Sequence, residues 1–179
     1  MRTLLLATAA IAIGAGAASA QQGTAAPAAP AATWPAPQYV AIPMELVVNK
    51  AAKDVWAKVG GYCDISKWIG AATVPCEIKS GSGEVGTVRV IAGRITEVMT
   101  AKSEFGYGFT HPAVEGKWYN LYHGFLEVRP IDAKSSKLVY TLMVDQADKK
   151  DQAAKDADVA QRKKQFESAL ANMKKLAEG

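Results

Sequence analysis

The chain has 179 residues, 49% of them hydrophobic and 21% charged, with a formal net charge of +4. That balance excludes a wholly disordered or collagen-like chain, and at this length one domain with a substantial core is expected. Lys and Arg are interspersed with Asp and Glu, which argues against nucleic acid as a partner, and the two Cys and two His lack the tight paired spacing of a closed structural zinc site.

Residues 1–20 read as a signal peptide. Arg2 supplies the positive start, residues 4–13 are apolar, and Ala18-Ser19-Ala20 is a small-residue cleavage pattern, so cutting is expected after Ala20. A spanning helix needs about 20 apolar residues, and Gly14, Gly16 and Ser19 interrupt this run. The expected location is periplasmic or secreted, with no stable membrane insertion. Residues 21–37 (QQGTAAPAAPAATWPAP) carry no charge and read as an Ala/Pro-rich linker. The folded domain is therefore expected at 38–179.

Within that domain, residues 44–48 (MELVV) read as a strand. Asn49 is a candidate cap for a helix over 51–59, where Ala52, Val55, Trp56 and Val59 recur at helical spacing. Gly60-Gly61 stops it. A helical turn over 64–69 follows, with Asp64 as its candidate cap. Strands are predicted at 76–78, 87–92, 95–101, 104–110, 117–128 and 138–145, separated by Gly, Ser and Pro turns. From about 148 to 178 there is neither Pro nor Gly. Val159, Phe166, Leu170, Met173 and Ala177 form one apolar stripe there, which predicts a long amphipathic helix. The resulting class is α+β: a curved antiparallel sheet of about seven strands around a long C-terminal helix, with two short helices after the first strand.

Cys63 and Cys76 are thirteen residues apart. In an oxidising compartment a nearby pair tends to be bonded, and a disulfide is favoured here over two separate buried thiols. The spacing is not C-x-x-C, so the role is stabilising.

Several motifs together resemble the SRPBCC superfamily, the helix-grip fold of START domains, the major birch-pollen allergen, plant abscisic-acid receptors and the polyketide cyclase/dehydrase group. They are VVNKAAKDVWAKVG, YCDISKWI, CEIKSGSGEVGTVRVI, RITEV and YHGFLEVRPID, in that order. The resemblance spans roughly 40–178 and is nearest the polyketide cyclase-like branch. It implies a large cavity between sheet and long helix that holds an apolar or aromatic small molecule. It also implies a gate loop at HPAVEGKW.

The same likeness places Tyr122 inward, and strand alternation from it adds Trp118, Asn120, Gly124 and Leu126. Glu97 and Tyr140 face inward by similar matching. Phe105, Tyr107 and Phe109 share one parity and are assigned to the cavity; Phe166, Leu170 and Met173 close it from the helix. The aromatic residues are equally explained, one by one, as core packing. Together, Tyr122, Glu97, Tyr107, Tyr140 and His111 make a candidate acid/base set that needs no cofactor and no metal. An inward Glu97 is either a general base or the partner of Arg89 or Lys117. His123 has the opposite parity and is expected on the outer face. The basic run Arg162-Lys163-Lys164 is expected on the solvated face of the helix.

Other chemistries lack their motifs: there is no G-x-S-x-G and no H-E-x-x-H, and SGSGEVG lacks the Lys-Ser/Thr end of a phosphate loop and reads as a hairpin turn. Two functions remain. One is a cofactor-free lyase, dehydratase or cyclase acting on an aromatic or polyketide-like substrate. The other is a non-catalytic carrier of a hydrophobic molecule. The oligomeric state is open.

Overall fold

A computed structural model describes residues 36–70, 72–115 and 117–179. The expected signal peptide at 1–20, and the linker at 21–37 except its last two residues, lie outside the described residues.

The chain runs β1 (Tyr39–Val48), α1 (Ala52–Val59), α2 (Ile65–Trp68), β2 (Cys76–Ser80), β3 (Val88–Ile91), β4 (Ile95–Ser103), β5 (Gly106–Thr110), β6 (Tyr122–Pro130), β7 (Ser136–Asp145) and α3 (Gln152–Glu178). The strands form one antiparallel sheet in the order β1-β7-β6-β5-β4-β3-β2. This is the expected helix-grip α+β architecture. β1 and β2 lie at opposite edges, and α1 with α2 carries the chain between them. Strand alternation puts Ile42, Met44, Leu126, Leu138, Leu142 and Val144 on the inner face, where Trp68 of α2 and Ala169, Leu170 and Met173 of α3 join them in the core.

Local chemistry explains the boundaries. Asp151 caps α3, its Oδ1 accepting from the Ala154 N–H at 2.8 Å. Asn49 does not cap α1. Ala51 holds that position without a side-chain bond, and the Asn49 N–H instead donates to Glu178. Asp64 stands before α2 but accepts from the Gly61 N–H and from Lys67. β1 begins five residues earlier than the apolar run suggested, because Pro43 sits on an edge strand where its missing N–H costs no ladder bond. The SGSGEVG segment is a hairpin turn, and the Glu84 carboxylate accepts from the Ser82 N–H and hydroxyl within it. Cys63 and Cys76 are bonded, tying the α1–α2 junction to the start of β2.

The largest departure is before β6. Residues 117–121 were expected to extend that strand, but it starts at Tyr122. Pro112 follows directly on the last ladder bond, from the His111 N–H to the Tyr122 carbonyl, and cannot donate the next one.

Candidate functional site

The site starts from a tight turn. β3 and β4 are joined by a three-residue turn, 92–94, in which Ala92 and Gly93 both have positive φ. That turn sets the register in which Arg89 lies directly opposite Glu97. Both point inward. Arg89 donates from Nε at 2.8 Å and from Nη2 at 2.6 Å to the same oxygen, Glu97 Oε2. Its Nη1 donates to the Tyr62 carbonyl and, at 3.4 Å, to the Tyr107 hydroxyl. The guanidinium also lies over the Tyr62 ring, 4.1 Å from its centroid. The buried cation is thus held by a carboxylate, a carbonyl and aromatic faces.

The second Glu97 oxygen is turned elsewhere. Oε1 lies 3.3 Å from His111 Nε2. His111 continues β5 by one residue, so its ring meets Tyr122 across the ladder, and the two rings stack with centroids 4.1 Å apart. Arg162 of α3 also lies over the Tyr122 ring, 5.6 Å from its centroid. Its Nε donates to Asp158 at 2.8 Å, which holds the Asp158 carboxyl below the usual carboxylate range.

These groups border a cavity of about 200 Å³ under the N-terminal half of α3. Its apolar wall is Ile65, Ile69, Ile91, Ile95 and Phe166; its polar wall is Glu97, His111, Tyr122, Tyr140, Arg162 and Gln165. Tyr140 is 1% exposed. Neither its hydroxyl nor that of Tyr122 has a hydrogen-bond partner among the described residues, and burial pushes both phenols above the usual tyrosine range. His111, Tyr122 and Arg162 also border a second, outer groove of about 440 Å³, together with Lys117, Leu121 and Asp145. Among the described residues no group of three or more His, Cys, Asp or Glu side chains could hold a metal ion, and no helix is long and apolar enough to cross a membrane.

Of the residues singled out in the sequence, Glu97, His111, Tyr122, Tyr140 and Phe166 meet at this cavity. Tyr107 stands behind it, bonded to Arg89 and facing a separate pocket near α1. Leu126, Leu170 and Met173 are at most 1% exposed and belong to the core rather than to the cavity wall. Phe109 is also core, and it is the reason for Gly124: a Cβ there would fall 2.2 Å from the Phe109 ring, so the glycine makes room for an aromatic side chain and not for a ligand. Phe105 precedes β5 and packs half-buried against the core. Trp118 and Asn120 leave the predicted inner face, since the segment carrying them is not strand. Trp118 is 51% exposed, and the Asn120 carbonyl accepts from the Tyr39 hydroxyl. The cavity is smaller than the resemblance implied because Phe109, Leu126, Leu170 and Met173 fill much of the space between sheet and helix. His123 is on the outer face beside Tyr39, and burial holds its imidazole below the usual histidine range.

Three polar participants, Arg89, Arg162 and Gln165, lie outside the set that the sequence singles out. The sequence offers Arg89 only as one possible partner for Glu97. Arg162 had been assigned to the solvated helix face. Its place three residues before Gln165 and four before Phe166, along one side of α3, is the signal that put it at the cavity.

The fold is the one shared by a set of solved structures. The aromatase/cyclase Zhui from Streptomyces sp. R1128 superposes with a TM-score of 0.61 at 16% identity, over 79% of this chain and 94% of its own. Norcoclaurine synthase from Thalictrum flavum, solved with dopamine and hydroxybenzaldehyde, gives 0.56 at 19% identity, over 79% and 88%. Ara h 8.0201 gives 0.56 at 18% identity, over 78% and 98%. At these identities the likeness defines the helix-grip fold. No family model matches the chain, and no curated protein matches it in sequence.

Proposed function

We propose that the protein binds an aromatic or polyketide-like small molecule and carries out cofactor-free acid/base chemistry on it, as a lyase, dehydratase or cyclase. The observation that carries this reading is the 3.3 Å contact between His111 Nε2 and Glu97 Oε1 at the wall of an apolar cavity. A carrier needs few polar groups inside. Proton transfer needs at least two within reach of each other, and an imidazole oriented by a carboxylate is such a pair.

The roles follow from the chemistry. Arg89 fixes the Glu97 carboxylate, and Glu97 orients the imidazole. His111 takes a proton from an acidic C–H of the substrate. An unpartnered phenol, Tyr122 or Tyr140, donates a hydrogen bond to the carbonyl oxygen on which negative charge builds up. Return of the proton to a departing hydroxyl releases water and leaves a carbon–carbon double bond. One ring of the substrate fits among the isoleucines, and any remainder lies in the outer groove. Helix-grip neighbours support a ligand of this kind: one is an aromatase/cyclase, and another was solved with two single-ring compounds. Export to the periplasm or medium is part of the proposal. It is supported by the character of residues 1–20 and by the Cys63–Cys76 bond.

The mostly isoleucine wall favours a second reading, a periplasmic carrier using the same cavity without chemistry. Native mass spectrometry of the protein from its own source identifies the bound molecule, and Ile95→Trp, which fills the cavity, should abolish its retention. With that molecule as substrate, Tyr122→Phe and His111→Gln should each lower turnover by about 100-fold or more while binding persists. Unchanged turnover in both variants rules out the enzyme reading. Binding without any turnover by the wild-type protein establishes the carrier.

A further inference from the structure

We infer that the ligand is a small organic acid, with a single ring in the isoleucine cavity and its carboxylate held at the rim by Arg162 and Gln165. The inference rests on the reading of this cavity as a ligand site, and it adds the ligand's charge and size and the residues that select it.

Size comes first. A cavity of about 150 Å³ is enough to hold benzene, so the roughly 200 Å³ here takes one ring with a short chain and excludes a fused system from the interior. Charge comes second. Among the described residues the one carboxylate lining the cavity is Glu97, and its Oε2 is already occupied by two donors from Arg89. Arg162 is different. It donates to Asp158 through Nε alone, and among the described residues its terminal Nη groups have no hydrogen-bond partner. Lys149 is shared between Asp158 at 3.8 Å and Asp148 at 3.7 Å, so Asp158 is not held by Arg162 alone. The rim therefore keeps unused N–H donors on a permanently charged guanidinium. Gln165, three residues along α3 on the same side, lines the cavity as well and has no hydrogen-bond partner among the described residues.

Arginine suits this task because its planar fork can offer two parallel N–H groups to a carboxylate. Stacking on Tyr122 limits the directions in which the fork can point. Placing the carboxylate there leaves the apolar body of the ligand against Ile65, Ile69, Ile91, Ile95 and Phe166, and its α-carbon near His111.

The test uses two probes of equal shape, 3-phenylpropanoate and 3-phenylpropan-1-ol, titrated into the full mature protein at neutral pH and followed by calorimetry and amide chemical shifts. Wild type should bind the carboxylate at least about tenfold more tightly than the alcohol, the margin expected of a charge-assisted pair. Arg162→Gln should abolish that preference. Arg162→Lys should restore part of it, since the charge returns without the fork. Melting temperatures of both variants serve as the folding control. Equal affinity for the two probes in wild type, or a preference that survives Arg162→Gln, overturns the organic-acid inference and leaves the cavity reading intact. Binding of neither probe overturns both.

Discussion

Arg89 and Glu97 face one another across the β3–β4 ladder, with Nη2 2.6 Å from Oε2 and the two side chains 0% and 5% exposed. A buried pair of this kind is not evidence of stability in itself, because each charge gave up hydration to get there. Its asymmetry is testable. Arg89→Met leaves the carboxylate buried without its cation and should cost about 3–5 kcal/mol. Arg89→Met combined with Glu97→Leu removes both charges and should be markedly more stable than Arg89→Met alone. Urea unfolding of the three proteins checks this, and losses that simply add would contradict it.

The disulfide closes a short loop around α2 and the apolar residues Ile65 and Trp68. Loss of a link closing about 15 residues costs about 3 kcal/mol in the chain-entropy model. Cys63→Ser with Cys76→Ser should therefore lower the melting temperature clearly, and added dithiothreitol should do the same to wild type and nothing to the double variant. Denatured, unreduced protein should show no free thiol on titration.

Gly124 is a packing position. A methyl group there would meet Phe109 Cζ at 2.2 Å, and that ring is walled in by the core. Gly124→Ala should destabilise by about 1–3 kcal/mol, the usual cost of overpacking. Phe109→Leu in the same chain should recover part of the loss. Equal stability of Gly124→Ala and wild type in denaturant would mean that the sheet yields more easily here than this geometry allows.

All six tyrosines have phenols raised above the usual range, burial being the first cause in each case, most strongly for the fully enclosed Tyr140. A group that holds its proton more firmly when folded contributes stability that is intact below its unfolded pKa, about 10 for tyrosine, and is lost as pH rises beyond it. The protein should therefore unfold in alkali above about pH 10, with phenolate absorbance at 295 nm appearing together with loss of near-ultraviolet dichroism. Tyr140→Phe should move that transition to higher pH. Ionisation of more than two of the six phenols near pH 10 while the dichroism stays native would refute the enclosure of Tyr62, Tyr107, Tyr122 and Tyr140.

Much of the architecture was legible in the sequence because it depends on local periodicity. The β-rich run of 138–145 and the apolar stripe on 159–177 are both local signals, and the strand and the helix they predict appear as expected. The disulfide was legible for a similar reason, as two cysteines close in sequence have few other partners. Glu97, Tyr122 and Tyr140 could be placed inward from alternation and resemblance alone.

Tertiary structure decided the rest. The end of a strand depends on which neighbour is there to pair with it, so the alternating letters of 117–121 could not reveal that this segment leaves the ladder and takes Trp118 and Asn120 with it. Cavity volume depends on how side chains from several strands and two helices interpenetrate, and no single element carries that information. The positions of the two arginines were hidden for the same reason. Arg89 is a buried cation only because a hairpin register sets Glu97 across from it and the Tyr62 carbonyl arrives from another part of the chain. Arg162 looks like one charge in a basic run until α3 is laid on the sheet, and then the rotation of that helix turns its guanidinium onto the Tyr122 ring at the mouth of the cavity.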